Sequence, residues 1–115
     1  MATYSREEFV RQVLVELAVL DATEAPEAED AQFVGDRRDQ KLEELYEEGL
    51  LPFDVDAEVP GRYFLPLIAI VALECATAYG KPLSEYAAKA SEGMRRLWKL
   101  RQQPVPSIPT RATYY

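Results

Sequence analysis

The chain has no histidine and a single cysteine, Cys75. Without histidine it loses the commonest transition-metal ligand and the commonest general base, and one cysteine excludes an internal disulfide framework. No glycine-rich phosphate loop and no serine elbow occurs. Long apolar runs are missing as well: the longest, Tyr63 to Leu73, has 11 residues, well short of the ~20 that a spanning helix needs. Behind Met1 come Ala2, Thr3, Tyr4 and Ser5 and then charged residues, with no basic segment ahead of an apolar one, so no secretory signal is expected. These absences count against an enzyme, a metal or cofactor site and a membrane protein. The expectation is a soluble protein of the cytoplasm or of a particle assembled there.

What is present suits one globular domain. The 115 residues are 48% hydrophobic, and a chain of this size buries roughly 65% of its unfolded surface. The net charge of −7 is unevenly spread: residues 1–80 carry 6 Lys/Arg against 18 Asp/Glu, whereas residues 81–115 carry 7 against 2. An acidic body with a basic end disfavours general nucleic-acid affinity, because phosphate neutralisation drives that binding. It suits head-to-tail contact between copies or with a second protein, although a merely solvated, segregated surface has the same composition.

The pattern predicts an all-α fold, a small bundle of about four helices, over residues 1–102. Ser5-Arg6-Glu7-Glu8 fits a capping box, and Tyr4 with Phe9 fits a hydrophobic staple. Phe9, Val13, Leu17 and Leu20 then share one face, with Val10 and Leu14 beside them, so the first helix is read to about Leu20. A second helix is read from about Glu27 to Glu48, with acidic residues at the positive end of its dipole and Gly49 as its stop. Its apolar stripe, Val34, Leu42, Leu45 and Tyr46, is narrow; Asp36, Arg37, Arg38, Asp39 and Glu43, Glu44, Glu47 and Glu48 cover the remainder. The stretch "LLPFDVDAEVPG" reads as an irregular crossing with Phe53 and Val55 turned inward.

A third helix, roughly Pro60 to Tyr79, is apolar on every side and belongs in the middle of the bundle. Pro66 allows two readings: a helix starting near Leu65, or a longer one that passes through the proline and kinks. Gly80, Lys81 and Pro82 stop it. The last helix then runs from about Pro82 to Gln102 with Leu83, Tyr86, Ala87, Ala90, Met94 and Leu97 on one face. Its basic residues Lys89, Arg95, Arg96, Lys99 and Arg101 gather toward the C-terminal end, where the dipole favours them.

Candidate chemistry is sparse. Cys75 in the apolar helix has no histidine to activate it and reads as a buried thiol. The carboxylate pairs Glu43 with Glu47 and Glu44 with Glu48 have the spacing of any acidic helix face, with no loop of calcium-ligand type around them. Arg95, Arg96, Trp98 and Lys99 have the residue types for phosphate contact and base stacking, yet basic residues at a helix C-terminus more often match the dipole and a partner surface.

The ending "QQPVPSIPTRATYY" stands apart. Prolines at 104, 106 and 109 remove backbone donors and favour extended, polyproline-like conformations. Ordering such a segment costs more conformational entropy than burying Val105, Ile108, Tyr114 and Tyr115 returns, so residues 103–115 read as an extended arm that becomes ordered on a partner, by strand addition or groove docking. Many arms presented together would convert weak docking into firm attachment.

Several segments in order carry a resemblance: "VLVELAVLD" closing the first helix, "APEAEDAQFV" opening the acidic second one, "VPGRYFLPLIAIVALECATAYGKP" through the central helix, a final basic helix, and "PTRATYY". In this arrangement, over nearly its whole length, the chain resembles the head-to-tail adaptor (connector) proteins of tailed bacteriophages, the structural proteins that form a ring below the portal. The resemblance implies a virion protein of the neck, assembled in the host cytoplasm as a homo-oligomeric ring, usually of twelve copies. It implies as partners the portal protein, the neighbouring copies and the next neck or tail (stopper) protein. DNA would pass through the lumen without specific binding. Carried onto this sequence, the portal-facing arm positions are Val105, Ile108, Pro109, Arg111, Tyr114 and Tyr115. Glu43, Glu44, Glu47 and Glu48 are placed at the lumen, where they would repel DNA and let it slide. Arg95, Arg96, Lys99, Arg101, Arg37 and Arg38 are assigned to contacts between subunits, the two arginines of the second helix bridging to a neighbour's carboxylates. An acidic helical regulatory binder, antitoxin- or inhibitor-like, whose tail folds on a partner protein is the alternative; it would stay monomeric or dimeric.

Overall fold

The structure, a computed structural model, describes residues 2–102. The arm positions Val105, Ile108, Pro109, Arg111, Tyr114 and Tyr115 lie outside the described residues. Four α-helices form the bundle: α1 (Arg6–Glu16), α2 (Ala28–Glu47), α3 (Gly61–Ala76) and α4 (Leu83–Gln102), with a 3-10 turn at Thr77–Tyr79. The fold is all-α apart from a short ribbon in which β1 (Thr3–Tyr4) pairs antiparallel with β2 (Val59–Pro60).

The start of α1 follows its sequence signal. The Ser5 hydroxyl accepts from the Glu8 backbone N–H at 3.2 Å while the Glu8 carboxylate accepts from the Ser5 N–H at 2.9 Å, so two orphan donors are satisfied reciprocally. Tyr4 and Phe9 meet on a third ring, Phe64 of α3: Tyr4 stacks on it at 3.9 Å and Phe9 meets it edge-on at 5.8 Å. The ribbon fixes this geometry, with Thr3 opposite Pro60, Tyr4 opposite Val59, and the Gly61 N–H donating to the Ala2 carbonyl at 2.9 Å. The beginning of the chain is thereby tied to the beginning of α3.

α1 stops at Glu16, short of the expected Leu20. The Ala18 N–H donates to the Val15 carbonyl and the Val19 N–H to the Leu14 carbonyl, both at 3.0 Å, and Ala18 adopts φ 60°. This is a Schellman stop with alanine in the left-handed position that glycine usually fills. The expected stops at Gly49 (φ 81°) and Gly80 (φ 69°) have the same hydrogen-bond pattern.

α3 is the central helix, as its composition predicts. Ten of its side chains, from Tyr63 to Ala76, are buried, and α1, α2 and α4 all pack on it. Gly61–Tyr79 is long and apolar enough to cross a membrane by length and composition alone, and just over half of its most apolar window is covered by the other helices. Of the two readings of Pro66, the structure has the longer helix: α3 begins at Gly61 and continues through the buried proline. Lacking an N–H, Pro66 leaves the Arg62 carbonyl without its intrahelical donor.

α4 lies closest to α3 where Gly93 faces Pro66: a Cβ at Gly93 would stand 2.7 Å from the Pro66 carbonyl oxygen. Its buried face is Tyr86, Ala90, Gly93 and Leu97. Leu83 and Ala87, expected on that face, are exposed; the line that meets the rest of the bundle passes through Gly93, beside them. On α2 the buried stripe is Val34, Gly35, Arg38, Leu42 and Leu45; Tyr46, expected there, is 48% exposed. The crossing segment turns inward as predicted: Leu50 and Leu51 are buried, and Phe53 meets Tyr63 edge-on at 5.3 Å.

Candidate interaction surfaces

Arg38 corrects the sequence reading most directly. Assigned to an interface between subunits, it is instead 2% exposed within the fold of its own chain. Its guanidinium lies 5.3 Å over the Phe9 ring, and Nη1 donates to Asp39 Oδ1 at 2.9 Å and to the Val55 carbonyl at 3.1 Å. Arg6 reaches the same carboxylate from α1, with Nη2 at 3.1 Å from Oδ2. One carboxylate thus holds two arginines and joins α1, α2 and the crossing segment. Partial burial works against the Asp39 charge, but the hydrogen bonds from Arg6 and Arg38 outweigh it and hold the carboxyl below its usual value.

Cys75 is fully buried, and burial pushes its thiol up to about 11. The Tyr79 hydroxyl donates to Asp30 at 2.9 Å; burial and that carboxylate raise the phenol far above its ordinary value. Neither group is poised for chemistry near neutral pH. Among the described residues no cluster of three or more metal-ligand side chains occurs.

The proposed lumen residues are all exposed, Glu43, Glu44 and Glu47 on the C-terminal half of α2 and Glu48 at its C-cap. Lys41 pairs with Glu44 at 2.8 Å; the other three have no ion pair among the described residues. Arg37 is exposed, its guanidinium 5.3 Å over the Phe33 ring. On α4, Arg95 pairs with Glu92 one turn back. Arg101, assigned to a contact between subunits, donates to the Gly49 carbonyl of the same chain at 3.1 Å and lies 5.4 Å over the Trp98 ring, so it ties the end of α4 to the turn after α2. Arg96 and Lys99 are exposed and have no ion pair among the described residues.

The structure adds a surface that the sequence reading missed. Because Gly93 brings α4 so close to α3, and Ala88 and Ala69 are small, an open groove of about 430 Å³ runs beside the seam. Leu65, 60% exposed, Pro66, Ala69 and Ala88 give it an apolar lining, and Glu16 of α1 and Arg96 of α4 stand in its wall. Glu16 is paired with Lys89 at 3.0 Å and Glu92, also in the wall, with Arg95; Arg96, one turn after Glu92, has no ion pair among the described residues. A second groove, of about 320 Å³, lies on the other flank of α4 and is lined by Lys41 of α2. A helix apolar on every side gives no hint in its sequence of which side its neighbours leave uncovered. Comparison with protein-family models, with curated proteins and with solved structures finds no match to this chain.

Proposed function

We propose that the chain is the subunit of a phage head-to-tail adaptor ring, joining the portal to the neck or tail and letting DNA pass through its lumen. The supporting observation is the division of charge that has no ion pair among the described residues: Glu43 and Glu47 stand exposed on α2 and Glu48 at its C-cap, and Arg96 and Lys99 stand exposed on α4. A heterologous ring needs two different faces that attract each other, and unpaired opposite charges on separate helices supply them. The α2 carboxylates that the contact between copies leaves outside it would keep DNA from adhering to the channel wall. With Arg38, Arg95 and Arg101 engaged inside the chain, the proposed contacts between subunits reduce to Arg37, Arg96 and Lys99. The proposed attachment arm is residues 103–115, by composition.

Deletion of residues 103–115 tests this reading. The ribbon, the four helices and their core lie within 2–102, so the shortened chain is expected to keep the helical circular dichroism of the parent and to lose attachment to portal-bearing particles. A shortened chain that attaches as well as the parent contradicts it. An antitoxin-like binder would give one or two copies per partner in native mass measurements, where the adaptor gives a closed ring of about a dozen.

A further inference from the structure

We propose that Tyr46 of one copy seats in the α3–α4 groove of the next, so that a second copy of this chain is the occupant of the groove. The proposal rests on the ring reading above and names its contact. Tyr46 is an exposed aromatic on the surface of α2, with the unpaired Glu43 and Glu47 three residues before it and one after it on the same helix. The groove offers the complement: an apolar lining of Leu65, Pro66, Ala69 and Ala88, and Arg96 in its wall without an ion pair among the described residues. An aromatic anchor in an apolar recess, bordered by arginine meeting carboxylate, is the arrangement that concentrates binding energy in interfaces. Position also fits. Glu16 of α1 lines this groove, whereas Lys41 of α2 lines the one on the other flank of α4. Helix α2, which carries the knob, and the α1-side groove therefore lie on different flanks of the α3–α4 pair, which favours a heterologous contact that propagates from copy to copy over a two-fold dimer.

The test uses the full-length chain in sedimentation velocity and native mass spectrometry over a range of concentrations. The parent is expected to self-associate, and Tyr46→Ala and Arg96→Glu each to weaken association by about tenfold or more. Both residues are exposed, and unchanged circular dichroism of each variant separates a lost contact from a lost fold. The decisive sample is an equimolar mixture: Tyr46→Ala keeps an intact groove and Arg96→Glu keeps an intact knob, so the pair is expected to form one-to-one heterodimers and nothing larger. Parent-like association of either variant, or a mixture that builds the same assemblies as the parent, overturns this contact and leaves the ring reading standing. A parent that stays monomeric to millimolar concentration also overturns it, since knob and groove are already formed in the free subunit; portal attachment is then judged by the deletion of 103–115.

Discussion

Ala18, Arg38 and Gly93 decide more of this fold than their residue types suggest. A left-handed backbone costs a non-glycine residue roughly 1–2 kcal/mol, and Ala18 bears that cost at φ 60° to close α1. Ala18→Gly is expected to raise stability by about 1 kcal/mol, read as a higher urea midpoint at unchanged slope; no gain would mean that the turn is not left-handed in solution. Gly93→Ala is expected to destabilise by about 1–3 kcal/mol, the range for overpacking, because the new carbon meets backbone at Pro66 and not a side chain able to swing away. At Asp39 the prediction concerns pH. Its carboxyl is held below the ordinary 3.8, so the stabilisation it gives is fully present above that pH and is lost as pH falls through the lower folded-state value. The Asp39→Asn chain should therefore be less stable than the parent at pH 7, and the difference should shrink as pH is taken below 3.8; a constant difference down the acid limb would contradict the Arg6–Asp39–Arg38 link. The sequence showed the capping box at Ser5 because its partners lie three residues apart. It hid the stop at Ala18, which has no glycine, and the burial of Arg38, whose charge placed it on the polar face.

Among the elements, α2 and α3 show what periodicity does and does not reveal. The sequence reads a narrow apolar stripe on α2, Val34, Leu42, Leu45 and Tyr46, of which Tyr46 is exposed. The missing width comes from Arg38, which lies between Val34 and Leu42 on the buried line and is neutralised by Asp39. The composition of α3 placed it at the centre of the bundle, and its burial predicts the behaviour of the one thiol: Cys75 should resist maleimide at pH 8 in the folded chain and react within minutes in denaturant, since burial raises the thiol to about 11 and blocks access. Rapid labelling of the native chain would show that α3 is not covered as described. The β1–β2 ribbon was not legible because two-residue strands carry no alternation to detect; its pairing joins residues more than fifty positions apart. Pro66 is not resolved by sequence, since proline is tolerated in the first turn of a helix and also, at the loss of one hydrogen bond, inside it.

For the whole molecule, the segregated charge was plain from counting residues, but its use was not. The sequence reading assigns Arg95, Arg96, Lys99 and Arg101 alike to contacts between copies, whereas Arg101 and Arg95 are engaged within the chain and Arg96 and Lys99 have no ion pair among the described residues. The groove beside them arises from three helices meeting and from no single motif. The proposed function rests on the arm acting together with these surfaces: residues 103–115 give attachment, and the division of charge gives neighbours. Native mass spectrometry of portal-bearing complexes assembled with the full chain and with a chain ending at residue 102 tests that claim most directly. The account predicts about twelve copies bound for the full chain and none retained for the shortened one; equal occupancy of the portal by both would contradict it.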